Sequence, residues 1–190
     1  MLDKSANAGQ HSYADRGGDL YETPACAIEA LLRVEKIPHL VWEPACGPGA
    51  IVKVLRARGH TVVASDIMDY DWGHDVQDFF EIRRGTGRLL PGGIVTNPPY
   101  QFAADFVRRA LELSPYVAML LRLAFYESER RSDILDTYPP TRIHVFKKRL
   151  PMMHRAGWVG RKASSAICFA WFVWDRNHSG PTIIDRISWE

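Results

Sequence analysis

The sequence predicts one α/β domain, built on a mostly parallel β-sheet with helices on both faces. Short apolar runs alternate with amphipathic stretches of helical periodicity along most of the chain. Glycine, proline and asparagine separate these stretches, as at Gly59 and at Asn97-Pro98. No helical stretch separates the last apolar runs, so we expect an antiparallel pair of strands at the C-terminal edge of the sheet.

Local signals define the predicted elements in order. Thr23 is expected to cap a first helix that has Pro24 at its first position and continues to about Glu35. Further helices are predicted over residues 48–58, 101–113 and 124–137. Strands are predicted over residues 40–42, 61–65, 93–96, 116–121, 142–146, 166–174 and 182–187.

Composition narrows the class of protein. The apolar and charged fractions, 46% and 24%, are those of a globular protein in water, and no apolar run is long enough to span a bilayer. Residues 1–20 are polar and glycine-rich, so we expect a flexible arm without a secretory signal, followed by a single domain over residues 21–190. Three widely spaced cysteines without a CxxC pair favour a reducing cytoplasm over a disulfide framework or a zinc site. We therefore expect a cytoplasmic protein with no membrane or metal partner.

Charge is distributed unevenly along the chain. Residues 1–96 carry a net charge of −3, and residues 97–190 carry a net charge of +5. Residues 141–163 include seven basic residues and no acidic one, with Met152, Met153 and Trp158 interleaved. This pattern fits a loop that faces nucleic acid, and a solvated loop is the alternative. The candidate contacts with a nucleic-acid backbone are Lys147, Lys148, Arg149, Arg155, Arg161 and Lys162.

Ligands of parallel α/β sheets bind beyond the carboxyl ends of the strands. The first predicted strand continues into the loop 43–49, with the sequence EPACGPG. Its two glycines allow a ligand to approach the backbone, and the following helix points N–H groups towards it. A G-x-G sequence alone is equally consistent with a tight turn. The acid at Glu43 suits a cationic amino group better than a pyrophosphate.

Two further acids follow in sequence. Asp66 ends the strand TVVASD, where a carboxylate can accept hydrogen bonds from a ribose diol, with a turn aspartate as the alternative. Asp78-Phe79 combines an acid for an exocyclic amine with a ring for a purine face, with a turn before a core segment as the alternative. Together with Glu43, these residues predict a pocket for an adenosine that bears an amino acid.

The fourth motif is Asn97-Pro98-Pro99-Tyr100, after the apolar run 93–96. Prolines there donate no hydrogen bonds to the sheet and fix φ, so the backbone is stiff between an amide and a phenol. With these motifs in this order, the chain resembles the S-adenosylmethionine-dependent DNA adenine-N6 methyltransferases, especially the small phage and prophage enzymes with the gamma order of motifs. The resemblance covers roughly residues 20–175 and includes Tyr21–Pro24 as an upstream cofactor motif.

The resemblance implies a Rossmann-like class I methyltransferase sheet, S-adenosylmethionine as cofactor and DNA as partner. The implied catalytic residues are Asn97, Pro98, Pro99 and Tyr100. The implied cofactor-binding residues are Tyr21, Thr23, Pro24, Glu43, Pro44, Ala45, Cys46, Gly47, Gly49, Asp66, Ile67, Asp78, Phe79 and Asn97.

In the implied mechanism, the Asn97 side-chain oxygen and the Pro98 carbonyl each accept a hydrogen of adenine N6, which frees the nitrogen lone pair. The base leaves the duplex and stacks on Tyr100. By the same resemblance Trp158 covers its second face, with Phe146 in reserve, and a core or surface role for Trp158 is the alternative. No separate target-recognition domain is expected, so sequence readout would come from the 147–163 loop and the N-terminal arm.

Three other functions stay open at this point. The Asn-Pro-Pro-Tyr motif also occurs in methyltransferases that modify a glutamine amide of translation release factors. Adenine in RNA is a second alternative to adenine in DNA. A non-catalytic nucleic-acid-binding module with a vestigial cofactor fold is the third.

Overall fold

A computed structural model describes residues 22–82, 92–152 and 167–190. The helices are α1 (Ala25–Val34), α2 (Ala50–Ala57), α3 (Ala103–Leu113) and α4 (Ser132–Leu135). The strands are β1 (Leu40–Glu43), β2 (Thr61–Asp66), β3 (Asp75–Val76), β4 (Gly93–Thr96), β5 (Tyr116–Arg122), β6 (Arg142–Phe146), β7 (Phe169–Asp175) and β8 (Ile183–Ile187). Short 3₁₀ turns cover Phe79–Glu81, Tyr100–Phe102, Leu123–Tyr126 and Glu129–Arg131.

The strands form one sheet in the order β3-β2-β1-β4-β5-β7-β6-β8. The first five in this order pair in parallel. β7 runs antiparallel to both β5 and β6, and β8 completes the C-terminal edge in parallel with β6. The predicted fold class is thereby confirmed: a mostly parallel sheet with antiparallel pairing towards its C-terminal edge.

The sheet is covered on both faces, as predicted. α1 and α2 pack with Ala118 and Leu120 of β5 on one face. α3 and α4 pack with Val117, Met119 and Leu121 of the same strand on the other face. Successive β5 residues therefore enter different cores, which explains why this strand is apolar throughout instead of alternating.

Several predicted boundaries are wrong for local backbone reasons. Pro24, and not Thr23, occupies the N-cap of α1, because its extended ψ of 138° delays the helix by one residue. α2 begins at Ala50 because Gly49 is left-handed, with φ 84°. The single helix predicted over residues 124–137 is two 3₁₀ turns followed by the short α4, since Ser128 is fully extended at φ −176°. The two-residue strand β3 was not predicted.

A buried carboxylate connects α1 to the antiparallel half of the sheet. The Glu35 side chain follows α1, and its Oε1 accepts a hydrogen bond from Arg142 Nε at 2.5 Å and lies 2.7 Å from His144 Nε2. Its Oε2 accepts hydrogen bonds from Arg142 Nη2 at 3.0 Å and from the Tyr116 hydroxyl at 3.1 Å. Arg142 also pairs with Asp175 at 3.3 Å. Arg142 and Tyr116 begin their strands, so this network lies at the edge opposite the carboxyl ends of the parallel strands.

The network sets the protonation of Glu35. Burial alone would raise its pKa, but hydrogen bonds from His144 and Arg142 outweigh burial and hold the pKa below its ordinary value. A carboxylate with a lowered folded pKa stabilises the fold above its unfolded pKa, and this stabilisation is lost as pH falls through the folded pKa. Glu35 therefore stabilises the fold at neutral pH.

Glu35→Gln should lower the free energy of unfolding at neutral pH by about 3 kcal/mol, because it leaves a partly buried guanidinium without its main carboxylate. Urea denaturation measures this loss. Glu29→Gln is the matched control, because Glu29 pairs with the exposed Arg58 and its loss should cost less than about 1 kcal/mol. Equal losses in the two variants would contradict the structural role assigned to Glu35.

Candidate functional site

A pocket of about 630 Å³ opens at the carboxyl ends of β1, β2 and β4, where the strand order reverses. The predicted site residues that line it are Thr23, Glu43, Pro44, Ala45, Cys46, Gly47, Asp66, Ile67, Asp78, Phe79, Asn97, Pro98, Pro99 and Tyr100. Residues that sequence reasoning missed also line it, among them Glu22, Met68, Tyr70, Phe80, Gln101 and Phe102. Of the predicted cofactor-binding and catalytic residues that the structure describes, Pro24 and Gly49 are not part of the lining.

The glycine-rich loop is held from two sides. The Cys46 N–H donates to the Ser65 carbonyl at 3.0 Å, and the Gly47 N–H donates to Asp66 Oδ2 at 2.9 Å. From the 67–74 loop, Trp72 Nε1–H donates to the Gly47 carbonyl at 2.7 Å. The loop therefore has a fixed shape before any ligand binds.

Gly49 serves the backbone of this loop. Its φ of 84° is left-handed, and a Cβ at this position would lie 3.1 Å from the Trp72 ring. Trp72 was not predicted, because its only signal was an aromatic residue in a stretch rich in aspartate and glycine. Trp72 follows β2 and the glycine-rich loop follows β1, and the sequence does not reveal that these two strands are neighbours.

Glu43 is an almost completely buried acid, with 1% of its surface exposed. Neither of its carboxyl oxygens has a hydrogen-bond partner among the described residues. Burial raises the pKa of Glu43 well above its ordinary value; the nearby Thr96 hydroxyl and Asn97 N–H oppose the rise only in part, and the charge of Asp66 adds to it. A cationic ligand group would supply the missing partner.

Asp66 has the turn role that was its alternative interpretation, and its role towards a ribose stays a prediction. Its Oδ2 accepts from Gly47 N–H, and its Oδ1 accepts from the Met68 N–H at 3.0 Å, as a turn aspartate does. It also lines the pocket. Each carboxylate oxygen can accept more than one hydrogen bond, so these backbone contacts leave acceptor capacity for a ligand.

Aromatic rings form one wall of the pocket. Phe79 is buried, stacks on Phe106 with ring centroids 4.8 Å apart and meets the edge of Trp42 at 5.3 Å. Phe80 is 42% exposed and also lines the pocket. Asp78 Oδ1 accepts from the Phe80 N–H at 2.8 Å, so Asp78 has the turn role that was its alternative interpretation.

The proline-rich loop leads from β4 into the turn that begins at Tyr100. The Tyr100 ring lies 5.7 Å from the Phe169 ring, centroid to centroid. The Arg122 guanidinium carbon lies over the same ring, 4.4 Å from its centroid. A guanidinium therefore covers one face of the ring on which the sequence places the target base, and sequence reasoning missed this arginine.

The basic segment is only partly described. Lys148 Nζ pairs with Glu190 at 2.5 Å, and the side chains of Lys147 and Arg149 are exposed. Met152 is buried in the core beneath α1 and α2, so its interpretation as an apolar group on a nucleic-acid surface is wrong. The predicted phosphate contacts of the three basic residues stay predictions.

The remaining predicted residues differ in what is known of them. Phe146 is partly buried against the core beneath α1 and α2. The residues Tyr21, Arg155, Trp158, Arg161 and Lys162 lie outside the described part of the chain. Within residues 22–82, 92–152 and 167–190, no helix has the length and apolar character needed to cross a membrane. Over the same ranges, no group of histidine, cysteine, aspartate or glutamate side chains could hold a metal ion.

No protein-family model matches the chain, and no curated protein matches it by sequence. Solved structures do resemble it. One, named as a "putative RNA methyltransferase" from Pyrococcus horikoshii, has a TM-score of 0.60 at 16% identity over 82% of this chain and 85% of its own. The M protein of the type I restriction enzyme EcoKI has a TM-score of 0.56 at 12% identity, over 83% of this chain and 44% of its own.

A third similar structure, a SAM-dependent O-methyltransferase from Thermotoga maritima, has a TM-score of 0.52 at 13% identity, over 82% of this chain and 66% of its own. The chain thus spans less than half of the EcoKI M protein and most of the Pyrococcus protein. At these identities the similarity concerns the fold. The chain has the Rossmann-like fold of S-adenosylmethionine-dependent methyltransferases, as the sequence predicted.

Proposed function

We propose that this chain transfers a methyl group from S-adenosylmethionine to the N6 amino group of adenine in DNA. The observation that carries the proposal is that Glu43, Asp66 and Asn97 line one pocket. They lie at or just after the carboxyl ends of three neighbouring strands. In the proposed function, Glu43 would bind an ammonium group and Asp66 a ribose. Asn97 would bind an exocyclic amine. The methyltransferase fold and the Asn97–Tyr100 motif support the same proposal.

The residues present fit S-adenosylmethionine. Its ammonium group would pair with Glu43, whose carboxyl oxygens have no hydrogen-bond partner among the described residues. Such a cation offsets the cost of the buried carboxylate. The ribose hydroxyls would donate to Asp66, and the adenine would lie against the aromatic wall that includes Phe79 and Phe80.

The chain contributes orientation and hydrogen-bond acceptors to the reaction. When bound, S-adenosylmethionine would supply an electrophilic methyl group, its S–CH3 bond breaking as the bond to N6 forms, and one N6 proton leaves to water after the transfer. The Asn97 side-chain oxygen and the Pro98 carbonyl each accept a hydrogen from the target amine, which turns its lone pair out of the ring and towards the methyl group. Each hydrogen bond contributes about 1 kcal/mol net. Because Pro98 and Pro99 restrict the backbone, these acceptors need little reorganisation during the reaction.

Radiolabelled S-adenosylmethionine with duplex DNA, RNA and protein in separate reactions tests the proposal. We expect label in DNA, recovered after digestion as N6-methyladenine. Label on RNA adenine or on a glutamine amide would show that the chain is a methyltransferase with a substrate other than DNA. DNA binding without transfer to any of the three would favour the non-catalytic module.

Glu43→Gln should have opposite effects on stability and on cofactor binding. Because folding raises the pKa of Glu43, the folded chain binds an extra proton between the unfolded and folded pKa values, and stability falls as pH rises through that window. The uncharged variant does not lose stability in this way as pH rises. Its melting temperature without cofactor should therefore exceed that of the wild type at pH 8 but not at pH 4. Its affinity for S-adenosylmethionine should fall about tenfold or more.

Thermal unfolding at the two pH values and calorimetric titration measure these effects. A variant that is less stable at pH 8 and binds the cofactor with unchanged affinity would refute the role of Glu43.

Asn97→Ala should reduce methyl transfer by about a hundredfold or more, because an acceptor for the target amine is lost in a preorganised site. Cofactor affinity should be largely kept. Gln101→Ala is the matched control, since Gln101 is an exposed amide that lines the same pocket. Single-turnover rates of both variants on DNA decide the question, and near-normal turnover of Asn97→Ala would rule out the mechanism.

A further inference from the structure

Arg122 is a partly buried arginine beside Tyr100, the last residue of the proline-rich loop. It is the last residue of β5, at the edge where the pocket opens. Among the described residues it forms no ion pair, and its buried Nε has no hydrogen-bond partner. Its guanidinium instead rests on the Tyr100 ring.

This arrangement leaves the charge of Arg122 incompletely compensated. A partly buried guanidinium loses hydration, and a contact with an aromatic face offsets only part of that loss. Arg142 is the contrast within the same sheet, because it is also partly buried but pairs with both Glu35 and Asp175. Among the residues that the structure describes, Arg122 thus has no carboxylate partner of the kind that Arg142 has.

The position of Arg122 narrows the class of that anion. Arg122 does not line the pocket, whereas Tyr100 does, so the guanidinium lies beside the proposed cofactor space and not in it. On the substrate side, every nucleotide carries a phosphodiester, and arginine binds phosphate oxygens through two parallel N–H donors. A target base that stacks on Tyr100 brings its own phosphates with it, because the sugar joins the base to them covalently.

We infer that Arg122 is a substrate-binding residue that covers Tyr100 in the free protein and pairs with a phosphate beside the target nucleotide when the base enters. The inference rests on the proposed function, since it needs a nucleic-acid substrate. Entry of the base exchanges the cation–π contact for base stacking, and the displaced guanidinium gains a charge-assisted hydrogen bond. The arginine thereby couples the position of the backbone to that of the base.

Arg122→Met tests this role, because it keeps an unbranched apolar stem and removes the charge. Binding of a fluorescently labelled duplex of mixed sequence is measured over a series of salt concentrations. We expect about tenfold weaker binding at low salt and a slope of log affinity against log salt that is flatter by about 0.9, the value for one phosphate contact. Arg122→Lys should keep the slope, because it keeps the charge.

Lys36→Met is the matched control. Lys36 is exposed between α1 and β1, at the opposite edge of the sheet, and its loss changes the net charge equally. Its affinity for DNA and its salt slope should equal those of the wild type. In methyl transfer, Arg122→Met should raise the KM for DNA more than it lowers kcat, whereas mere support of Tyr100 would lower kcat and leave the salt slope unchanged.

Three outcomes would overturn the inference. An unchanged salt slope and KM in Arg122→Met, with a wild type that methylates DNA, would remove the role of Arg122 and keep the proposed function. Weaker binding of S-adenosylmethionine by the variant would assign the guanidinium to the cofactor carboxylate instead. A wild type that neither binds nor methylates DNA would remove the inference and the proposed substrate together.

Discussion

The parallel pairing of β1 with β2 on one side and β4 on the other is the constraint on which the site depends. Parallel strands end at the same edge of a sheet, so Glu43, Asp66 and the loop after Thr96 meet there although they are far apart in sequence. The helix α1 and the crossover helices α2 and α3 cover the two faces of the sheet. The pocket is therefore a consequence of strand order before it is a consequence of any single side chain.

Charged side chains differ in their partners between the amino ends and the carboxyl ends of the parallel strands. At the edge opposite the pocket, Glu35 accepts hydrogen bonds from two strands and is fully compensated. At the pocket edge, Glu43 and Arg122 have no partner of opposite charge among the described residues. The paired carboxylate at the amino ends of the strands connects parts of the fold, whereas the charged groups at the carboxyl ends are those for which we propose ligand partners.

Sequence patterns predicted most of the fold because the strands are short, apolar and bounded by glycine or proline. They also predicted that Glu43 and Asp66 line the pocket, since each stands at the end of a predicted strand, whereas Asp78 was predicted from the aromatic residues that follow it and Glu22 was missed. They could not predict contacts that depend on sheet order. Trp72 reaches the glycine loop from a neighbouring strand, and Arg122 meets Tyr100 because β5 lies beside β4.

The errors in helix assignment have a similar origin. The segment 124–137 has helical composition, yet an extended Ser128 divides it, and no local signal marks that break. Met152 looked like part of a charged surface loop because its neighbours in sequence are basic. In the structure it is buried and belongs to the same core cluster as Trp171 of β7.

The pKa of Glu35 is lowered and that of Glu43 is raised, so acid affects the surroundings of the two carboxyls differently. Protonation removes the ionic hydrogen bonds of Glu35, so the joint between α1 and the antiparallel strands weakens as acidity increases. Glu43 takes its proton at higher pH than Glu35, because its pKa is raised, so its buried carboxyl is already neutral when the Glu35 network is lost. Amide exchange should therefore rise in acid first near Glu35, Tyr116 and Arg142, whereas the segment around Glu43 keeps its protection longer.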